Sequence, residues 1–534
     1  MVTMNRIQAA VNAVKLQVHH TDMPGTFWDR LSEDEKMSSV DQTCSRKFQD
    51  AFAWEARGRA KQKWADDIYP KLKVLLNEKH KDLNPKSRKL AIYTITCWMV
   101  GKEWHLSHPA AIFVCSNKKV AKRALRHMKR FLKDEDSGFH AYSHITEVKL
   151  NHGGGPSPDQ SSRIGLCGSL VNVGSADEPF ERQTTVGGVI SIDGHNYCMT
   201  AGHPFFSMDE GLDDSDDHDS DGSDSSDDND HNDNENLSFD IGMTDGSTVE
   251  LENLTADYIY KDQHTCLGRI PDETFLSKRF DWALLKTTDN IVPGPNKIIT
   301  PSGGLIPWKI SSSSPECPLW AATGTHKSVE IRSCPTLSGI CLDNLGILDV
   351  WSLDMMSYPG DSGSWVVDPC DFSIVAIIVA RCDDLGVTYA LPASDVFRDI
   401  IRNIGSKPEF LLGDEETLLS LATGQGKTEL VSELLSSSAV SFNSSFGDVL
   451  RVASEEGHEK IAQLLLDKGV DINASGGAAL RSAAAQGHEK IVQLLLDWGA
   501  DINASGGNVL WRGAAQGHEK NAQLPLKKGS MMRT

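Results

Sequence analysis

The segment Pro359–Ser364 reads PGDSGS and is followed directly by the apolar run Trp365–Val367. A glycine-rich segment of this kind predicts a sharp turn that leads into a strand. Short β-type runs separated by turn residues surround it, and they include segments 169–173, 188–192 and 374–379. This spacing is typical of an all-β barrel or sandwich. The run 396–401 predicts a helix that closes the region.

Two other short segments of this β-rich region carry chemistry-bearing residues. The segment Thr200–His203 (TAGH) ends a predicted strand, and Phe280–Leu285 (FDWALL) places Asp281 at the head of an apolar run. A serine hydroxyl is a weak nucleophile until an adjacent imidazole accepts its proton. The imidazole in turn needs a carboxylate that fixes its tautomer and stabilises its cation. His203, Asp281 and Ser362 are therefore candidates for a hydrolytic triad.

The three segments, in this order, resemble the chymotrypsin-like serine peptidases, and the resemblance covers roughly residues 160–405. It implies a double-barrel all-β fold in which Ser362 is the nucleophile, His203 the general base and then acid, and Asp281 the orienting carboxylate. It also implies an oxyanion hole formed by the amides of Gly360 and Ser362. Met356, six residues before the serine, is then expected at the floor of the primary specificity pocket, which favours an apolar side chain before the scissile bond.

Two features depart from the family pattern. Cys198 lies five residues before His203 and does not match the usual disulfide beside the histidine. No activation sequence is found whose new N-terminus could pair with Asp361, and Val186–Val189 reads as a strand instead. We therefore expect the oxyanion hole to be preformed, or to be set by another domain.

A repeat of constant period occupies the C-terminal part of the sequence. The tetrapeptide Gly-His-Glu-Lys recurs at residues 457–460, 487–490 and 517–520, and a degenerate earlier copy spans 416–436. The pattern resembles the ankyrin repeat, which implies an α-helical solenoid that binds a protein partner. Pro525 falls inside the last predicted helix, where proline costs about 3 kcal/mol, so we expect a frayed terminal copy.

The N-terminal block, residues 1–152, has a mixed and largely helical pattern. An apolar run at 110–114 predicts a strand, and Ser116 is a candidate cap for the helix that follows. The outer face of this helix is basic, which is most simply explained as a solvated surface. The glycine- and proline-rich segment 153–163 predicts a linker.

The chain has 534 residues and a formal net charge of -21. Much of this charge lies in the insertion 209–236, which is rich in aspartate and contains no lysine or arginine, so we expect a disordered surface loop there. The charge elsewhere is ordinary, and we expect neither a nucleic-acid nor a membrane partner. No metal site or other cofactor is predicted. Eleven cysteines without CxxC pairs, and no visible secretory signal, favour the cytoplasm, with the nucleus as an alternative, over secretion.

The sequence therefore predicts a multidomain protein. Its parts are a mostly helical α/β region (1–152), a linker (153–163), an all-β double-barrel chymotrypsin-like domain (164–405) and an α-helical ankyrin solenoid (413–534). The leading hypothesis is an intracellular serine endopeptidase whose ankyrin repeats bind a protein substrate or partner. The alternative is a catalytically silent scaffold that acts through the repeats. A third hypothesis is self-processing in the acidic loop or the glycine-rich linker.

Overall fold

The structure is a computed structural model. It describes residues 26–502 apart from 84–91, 136, 151–165, 176–181, 207–253, 262–264, 290, 292, 302, 312, 317, 327, 343–345, 412–414 and 437–445. The acidic insertion 209–236 and the last predicted repeat, with Pro525, lie outside the described residues, as does the whole linker 153–163. No helix in the described ranges is long and apolar enough to cross a membrane.

Strands and helices alternate in the first part of the chain, strands dominate the middle, and helices form the end. The strands are β1 (Val40–Phe48), β2 (Ala51–Ala56), β3 (Tyr93–Gly101), β4 (His108–Cys115), β5 (His140–His144), β6 (Lys149–Leu150), β7 (Ser169–Gly174), β8 (Arg182–Val186), β9 (Gly188–Ile192), β10 (His195–Thr200), β11 (Tyr258–Tyr260), β12 (Cys266–Arg269), β13 (Leu276–Ser277), β14 (Trp282–Thr287), β15 (Ile298–Thr300), β16 (Gly303–Leu305), β17 (Lys309–Ile310), β18 (Leu319–Ala321), β19 (Val329–Ile331), β20 (Thr336–Cys341), β21 (Leu348–Leu353), β22 (Trp365–Val367), β23 (Ser373–Cys382), β24 (Val387–Pro392) and β25 (Glu409–Phe410). The α-helices are α1 (Glu33–Ser38), α2 (Gly58–Lys63), α3 (Tyr69–Glu78), α4 (His80–Leu83), α5 (Lys118–Asp134), α6 (Ala393–Ile404), α7 (Glu415–Gly424), α8 (Thr428–Ser436), α9 (Gly447–Glu456), α10 (Glu459–Asp467), α11 (Ala474–Gln486) and α12 (Glu489–Asp497).

Two groups of strands in the middle of the chain repeat one pairing order. The first group, the N-terminal strand group, runs β8-β7-β11-β12-β14-β10-β9, with β13 added to β14 and β25 added to β9. The second, the C-terminal strand group, runs β19-β18-β22-β23-β24-β21-β20. In each group the strands at the two ends of this path are consecutive in the chain, since Gly187 alone separates β8 from β9 and residues 332–335 separate β19 from β20. The large β-rich region is confirmed, as are the strands expected at β7, β9 and β23 and the closing helix α6.

The two strand groups meet at Trp365, whose side chain is fully buried. The indole lies against Gly187, which joins β8 to β9, and against Gly188, the first residue of β9. A Cβ on Gly187 would stand 2.3 Å from Trp365 Cδ1, and one on Gly188 would stand 2.3 Å from Trp365 Cη2. Carbon atoms cannot approach this closely, so both positions require glycine.

We expect Gly188→Ala to lower the free energy of unfolding by about 3 kcal/mol, because the added methyl group overpacks the contact with Trp365. Urea unfolding followed by tryptophan fluorescence measures the change. Gly294→Ala is the matched control, since among the described residues no atom other than those of its chain neighbours lies within 4 Å of a Cβ built there. Equal losses for the two variants would contradict the packing argument.

The N-terminal region shares a sheet with the C-terminal strand group. Strand β3 pairs with β20, and β6 pairs with β23. The prediction of residues 1–152 as a separate region needs correction here, because β1–β5 build a sheet that continues into the C-terminal group. Strand β4 is confirmed within the expected run. Its alternate residues belong to two different apolar cores, so it lacks the polar alternation that marks a half-exposed strand.

Helix α5 begins after Asn117, not after Ser116 as the sequence predicted. The Asn117 side chain accepts hydrogen bonds from the Lys119 amide at 3.0 Å and the Val120 amide at 3.2 Å. Asparagine and serine are about equally good N-caps, so the sequence alone did not separate the two adjacent positions.

Glu55 lies on β2, where the N-terminal sheet approaches the C-terminal strand group. Its Oε2 is buried and has no hydrogen-bond partner among the described residues. Burial, assisted by the charge of Asp354, raises the pKa of Glu55 from 4.5 to about 6, against the opposing effects of Lys61, Ser333 and Arg57. Because the folded-state pKa is the higher one, the stability that this group contributes is complete below about pH 4.5 and is lost as the pH rises through 6.

We therefore expect Glu55→Gln to be about 1–2 kcal/mol more stable than the wild-type protein at pH 8, and equal to it at pH 4. Paired urea titrations at the two pH values measure this difference. If the difference in the free energy of unfolding between variant and wild type were the same at pH 4 and pH 8, it would contradict the assignment of the pKa shift to burial of Glu55.

The C-terminal helices stack in antiparallel pairs onto the β-rich region. Gln425 Nε2 donates to Gly304 O at 2.7 Å, and Lys309 Nζ lies 2.7 Å from Glu433 and 3.1 Å from Asp371. One continuous apolar core extends from the strands into these helices. The helical array is therefore attached to the segment that connects the two strand groups.

Candidate active site

The three candidate triad residues lie at strand ends. His203 follows β10, Asp281 immediately precedes β14, and Ser362 lies between β21 and β22. Strands β10 and β14 are antiparallel neighbours, with Thr200 opposite Ala283. The pairing brings the end of β10 next to the start of β14, and with it the histidine next to the aspartate.

His203 and Asp281 are in direct contact. His203 Nδ1 lies 2.9 Å from Asp281 Oδ2 and 3.0 Å from Oδ1. An ionised carboxylate can only accept hydrogen bonds, so the proton of the neutral imidazole is held on Nδ1. Nε2 is then the ring nitrogen with a lone pair, which is the form a general base requires.

The backbone fixes Asp281 in an unusual conformation. Its φ is 47°, in the left-handed region that few non-glycine residues adopt, and the residue is buried. Asp281 Oδ1 accepts hydrogen bonds from the His203 amide at 2.7 Å and the Gly202 amide at 3.1 Å. These bonds over-determine the position of the carboxylate, which is a common way for a functional site to retain a strained residue.

The turn that carries Ser362 packs against the strand end that carries His203. Ser362 O accepts from the Thr185 amide at 2.8 Å and from Thr184 Oγ1 at 2.9 Å. Thr184 Oγ1 also lies 2.7 Å from Thr200 Oγ1, three residues before the histidine. A Cβ on Gly363, whose φ is 86°, would stand 2.7 Å from the amide nitrogen of Ala201. The serine turn and the histidine segment are therefore close neighbours.

The hydroxyl group of Ser362 is directed at Thr184 in this structure. Its Oγ lies 3.3 Å from Thr184 Oγ1. Ser362 is fully buried, and only 7% of the surface of His203 is exposed. The structure thus joins His203 to Asp281 directly, whereas Ser362 contacts Thr184, and Thr184 contacts Thr200 on the strand that precedes His203. A protein chain cannot reach the serine in this conformation.

The Asp361 side chain stabilises the turn around Ser362. Its carboxylate accepts from Thr325 Oγ1 at 2.7 Å, from the Thr325 amide at 3.0 Å and from the Tyr358 amide at 2.8 Å. Asp361 is 1% exposed, so these internal donors solvate its charge. The sequence missed Thr325 and Thr184 because nothing local marks a threonine that meets its partner only through tertiary folding.

The two candidate oxyanion donors lie in this stabilised turn. Gly360 has a φ of 100°, and a Cβ there would stand 2.7 Å from Leu170 Cδ1. Neither the Gly360 amide nor the Ser362 amide donates to a carbonyl of the described residues. Both residues are buried in this conformation.

Met356, the predicted pocket floor, follows β21 and is 43% exposed. Its neighbours Met355 and Ser357 are buried, and Thr388 Oγ1 lies 2.8 Å from Met355 O and 3.1 Å from the Ser357 amide. The backbone on either side of Met356 is therefore fixed, while its side chain contacts solvent.

Cys198 lies on β10, beneath the histidine segment, and is fully buried. Burial raises the pKa of its thiol to about 12, so the group stays protonated and unreactive at neutral pH. None of the cysteine side chains that the structure describes is in a disulfide. Within the described ranges, no cluster of three or more His, Cys, Asp or Glu side chains could hold a metal ion.

The Gly-His pair of the C-terminal repeats has a clear structural role. Gly457 and Gly487 end α9 and α11 in the left-handed conformation, with φ of 82° and 85°. The next copy's histidine covers the glycine: a Cβ on Gly457 would stand 2.6 Å from His488 Cε1, and His488 Nε2 lies 2.9 Å from Glu455 O. Each histidine thus binds the open end of a helix in the preceding repeat.

Residues 390–476 and 419–506 match a family model described as ankyrin repeats (3 copies). The C-terminal helices are ankyrin repeats. The ankyrin array, α7–α12, therefore includes the degenerate copy expected at 416–436, which forms α7 and α8. Repeats of this kind mediate protein–protein interaction. A search of the curated proteins returned no match to the chain.

Proposed function

We propose that residues 164–405 are a chymotrypsin-like serine endopeptidase domain that hydrolyses peptide bonds in a protein substrate. The contact of His203 Nδ1 with Asp281 at 2.9 Å is the observation that carries this proposal, because it leaves Nε2 as the proton acceptor of a histidine whose chain segment borders the turn of Ser362. Asp281, at a positive φ, binds His203 Nδ1 and also accepts from two backbone amides. A histidine that only packs in the core does not require such an arrangement.

The proposed fold is a pair of six-stranded barrels. The repeated pairing order supports it, since β8 with β9 and β19 with β20 would each act as one bent strand that closes its sheet. The histidine and the aspartate then belong to one barrel and the serine to the other. A site of this kind lies in the cleft between the barrels.

The proposed reaction begins when the Ser362 hydroxyl rotates away from Thr184 and gives its proton to His203 Nε2. Ser362 Oγ attacks the substrate carbonyl carbon, and the amides of Gly360 and Ser362 donate to the oxyanion that develops. His203 then protonates the leaving amine, which departs as the carbonyl re-forms. Water repeats the sequence on the acyl-enzyme and releases the carboxylic acid.

The oxyanion loop is proposed to be preformed. In place of a new N-terminal amino group, Thr325 and Tyr358 already satisfy the Asp361 carboxylate. The domain would then need no proteolytic activation. Met356 is proposed to line the primary specificity pocket, where its apolar side chain would favour an apolar residue before the scissile bond.

The ankyrin repeats are proposed to recruit the substrate or a protein partner, because their attachment between the strand groups fixes them relative to the catalytic turn. We propose a cytoplasmic protein, with the nucleus as an alternative location, since thiols without disulfides suit a reducing compartment. Neither a cofactor nor a metal ion enters the proposed reaction.

The test is hydrolysis of a defined peptide library by the purified full-length chain, read by mass spectrometry. New termini are expected with the wild-type protein and not with Ser362→Ala, and Ser364→Ala is the matched control for a buried serine in the same turn. No new termini with the wild type, or equal cleavage by wild type and Ser362→Ala, would contradict the proposal.

The second candidate function is a catalytically silent scaffold that acts through its ankyrin repeats. Full burial of Ser362, with its hydroxyl directed at Thr184, favours this candidate. Partner binding and partner cleavage distinguish the two candidates. The scaffold is favoured if protein partners bind wild type and Ser362→Ala equally and neither form of the protein cleaves them.

A further inference from the structure

Three segments of the chain lie along one edge of β23: β22, the turn of Ser362 and β6. The other edge of β23 is occupied by β24, which pairs with Ala380 and Arg381. Because a strand has only two edges, β6, which also pairs with these two residues, must lie on the edge used by β22. Between β22 and β6, the Gly363 amide donates to Ile378 O at 2.9 Å and the Ile378 amide donates to Ser364 O at 2.9 Å.

The direction of β6 matters as much as its position. The pairing is antiparallel, with Lys149 opposite Arg381 and Leu150 opposite Ala380. Moving along β6 from its first to its second residue therefore leads toward Ile378 and the turn of Ser362. Ala380 and Ile378 are two residues apart, or about 7 Å along a strand. A peptide paired at this edge would reach the serine turn within one or two further residues.

We propose that Lys149 and Leu150 act as an internal pseudosubstrate, because they occupy the edge of β23 at Ala380 and Arg381 along which a peptide substrate of the hydrolytic site would pair. The inference rests on the proposed function. An edge strand binds an extended peptide through main-chain hydrogen bonds, so it accepts many sequences. The same bonds allow the protein's own chain to compete with a substrate.

The side chains of β6 indicate which peptides the edge prefers. Lys149 Nζ lies 3.0 Å from Asp383 Oδ2, and the other carboxylate oxygen accepts from Arg381 Nε at 2.8 Å. Leu150 packs against the large apolar core that also contains Val148. The preferred substrate is therefore an extended peptide with a basic residue followed by an aliphatic residue on the amino-terminal side of the scissile bond.

Burial of the nucleophile agrees with an occupied site. Ser362 is fully buried while β6 is docked. A docked state that is populated about 90% of the time raises the apparent KM for a competing peptide about tenfold, without altering kcat.

The experiment uses the full chain with both residues of β6 replaced by proline (K149P/L150P), which removes their amide donors. Glu147→Pro is the control, since Glu147 lies outside the paired residues and its side chain is 66% exposed. A fluorogenic peptide containing Ile-Thr-Glu-Val-Lys-Leu is the substrate. We expect the double variant to lower KM about tenfold at similar kcat, and Glu147→Pro to match wild type.

Two further measurements separate this inference from the proposed function. Hydrogen exchange should accelerate in K149P/L150P alone at whichever of the Ala380 and Arg381 amides faces β6, because adjacent residues direct their amides to opposite edges of β23. A fluorescein-labelled hexapeptide should bind the same variant in a Ser362→Ala background. Unchanged exchange, or accelerated exchange with neither a KM shift nor hexapeptide binding, would overturn the pseudosubstrate assignment. Hexapeptide binding without hydrolysis by any variant would support the peptide-binding edge and overturn the endopeptidase proposal.

Discussion

Replacement of His203 by alanine is expected to lower kcat/KM for peptide hydrolysis by about 10⁴–10⁶-fold, because the serine loses its proton acceptor. Asp281→Asn should cost about 10⁴-fold, since an amide facing Nδ1 no longer selects the tautomer with a basic Nε2. Steady-state kinetics on one fluorogenic peptide measures both changes. The residual rate of each variant measures the catalysis that the oxyanion donors and substrate binding still provide.

His195→Ala is the matched control for these variants, because His195 is an exposed histidine at the other end of the same strand, β10. Its kinetics should equal those of wild type. The double variant H203A/S362A should be hardly slower than either single variant, because the two residues act as one unit. A loss of kcat/KM in the double variant equal to the product of the two single losses would contradict the assigned roles, as would wild-type activity in His203→Ala.

The second large effect is expected at Asp361. Asp361→Ala removes the acceptor of three hydrogen bonds that hold the turn, and should lower kcat about 10²–10³-fold, as loss of an oxyanion donor does. Thr325→Val removes one of those bonds, the one from Oγ1, and leaves the amide donor in place. We expect it to lower kcat by about tenfold with KM nearly unchanged, because a charge-assisted hydrogen bond contributes about 1.5–3 kcal/mol.

Thr325→Ser retains a hydroxyl in the same position and should recover most of the wild-type kcat. This rescue separates positioning of the turn from general stability, which urea unfolding of each variant measures independently. Equal kcat values for the valine and serine variants would contradict the assignment of Thr325 as a positioning residue.

The sequence predicted the parts of the fold that leave a local or periodic signal. Glycine beside Ser362 marked the turn because Gly363 needs a positive φ where its neighbours leave no room for a side chain. The Gly-His pair marked the ankyrin repeats because the glycine ends one helix and the histidine of the next copy covers it. Both features depend on a few adjacent residues, so they are visible without a structure.

The sequence failed where the structure depends on contacts between distant segments. Apart from β4, the N-terminal sheet was missed, because a strand such as β3 is buried on both faces and reads as a plain apolar run. Thr184 and Thr325 acquire their roles only when folding brings them to the turn of Ser362. Strand β6 has two residues, too few for any periodic pattern, and its partner Arg381 is more than 200 residues away in the chain.

His203, Asp281 and Ser362 are proposed to form one working nucleophilic site, and covalent labelling by a fluorophosphonate tests this most directly. The probe should add one equivalent to the full-length wild-type chain, and peptide mapping should find the adduct on Ser362. His203→Ala should be labelled far more slowly, whereas His195→Ala should be labelled at the wild-type rate. Absence of an adduct on Ser362 in both the wild type and K149P/L150P, after prolonged incubation, would contradict the account.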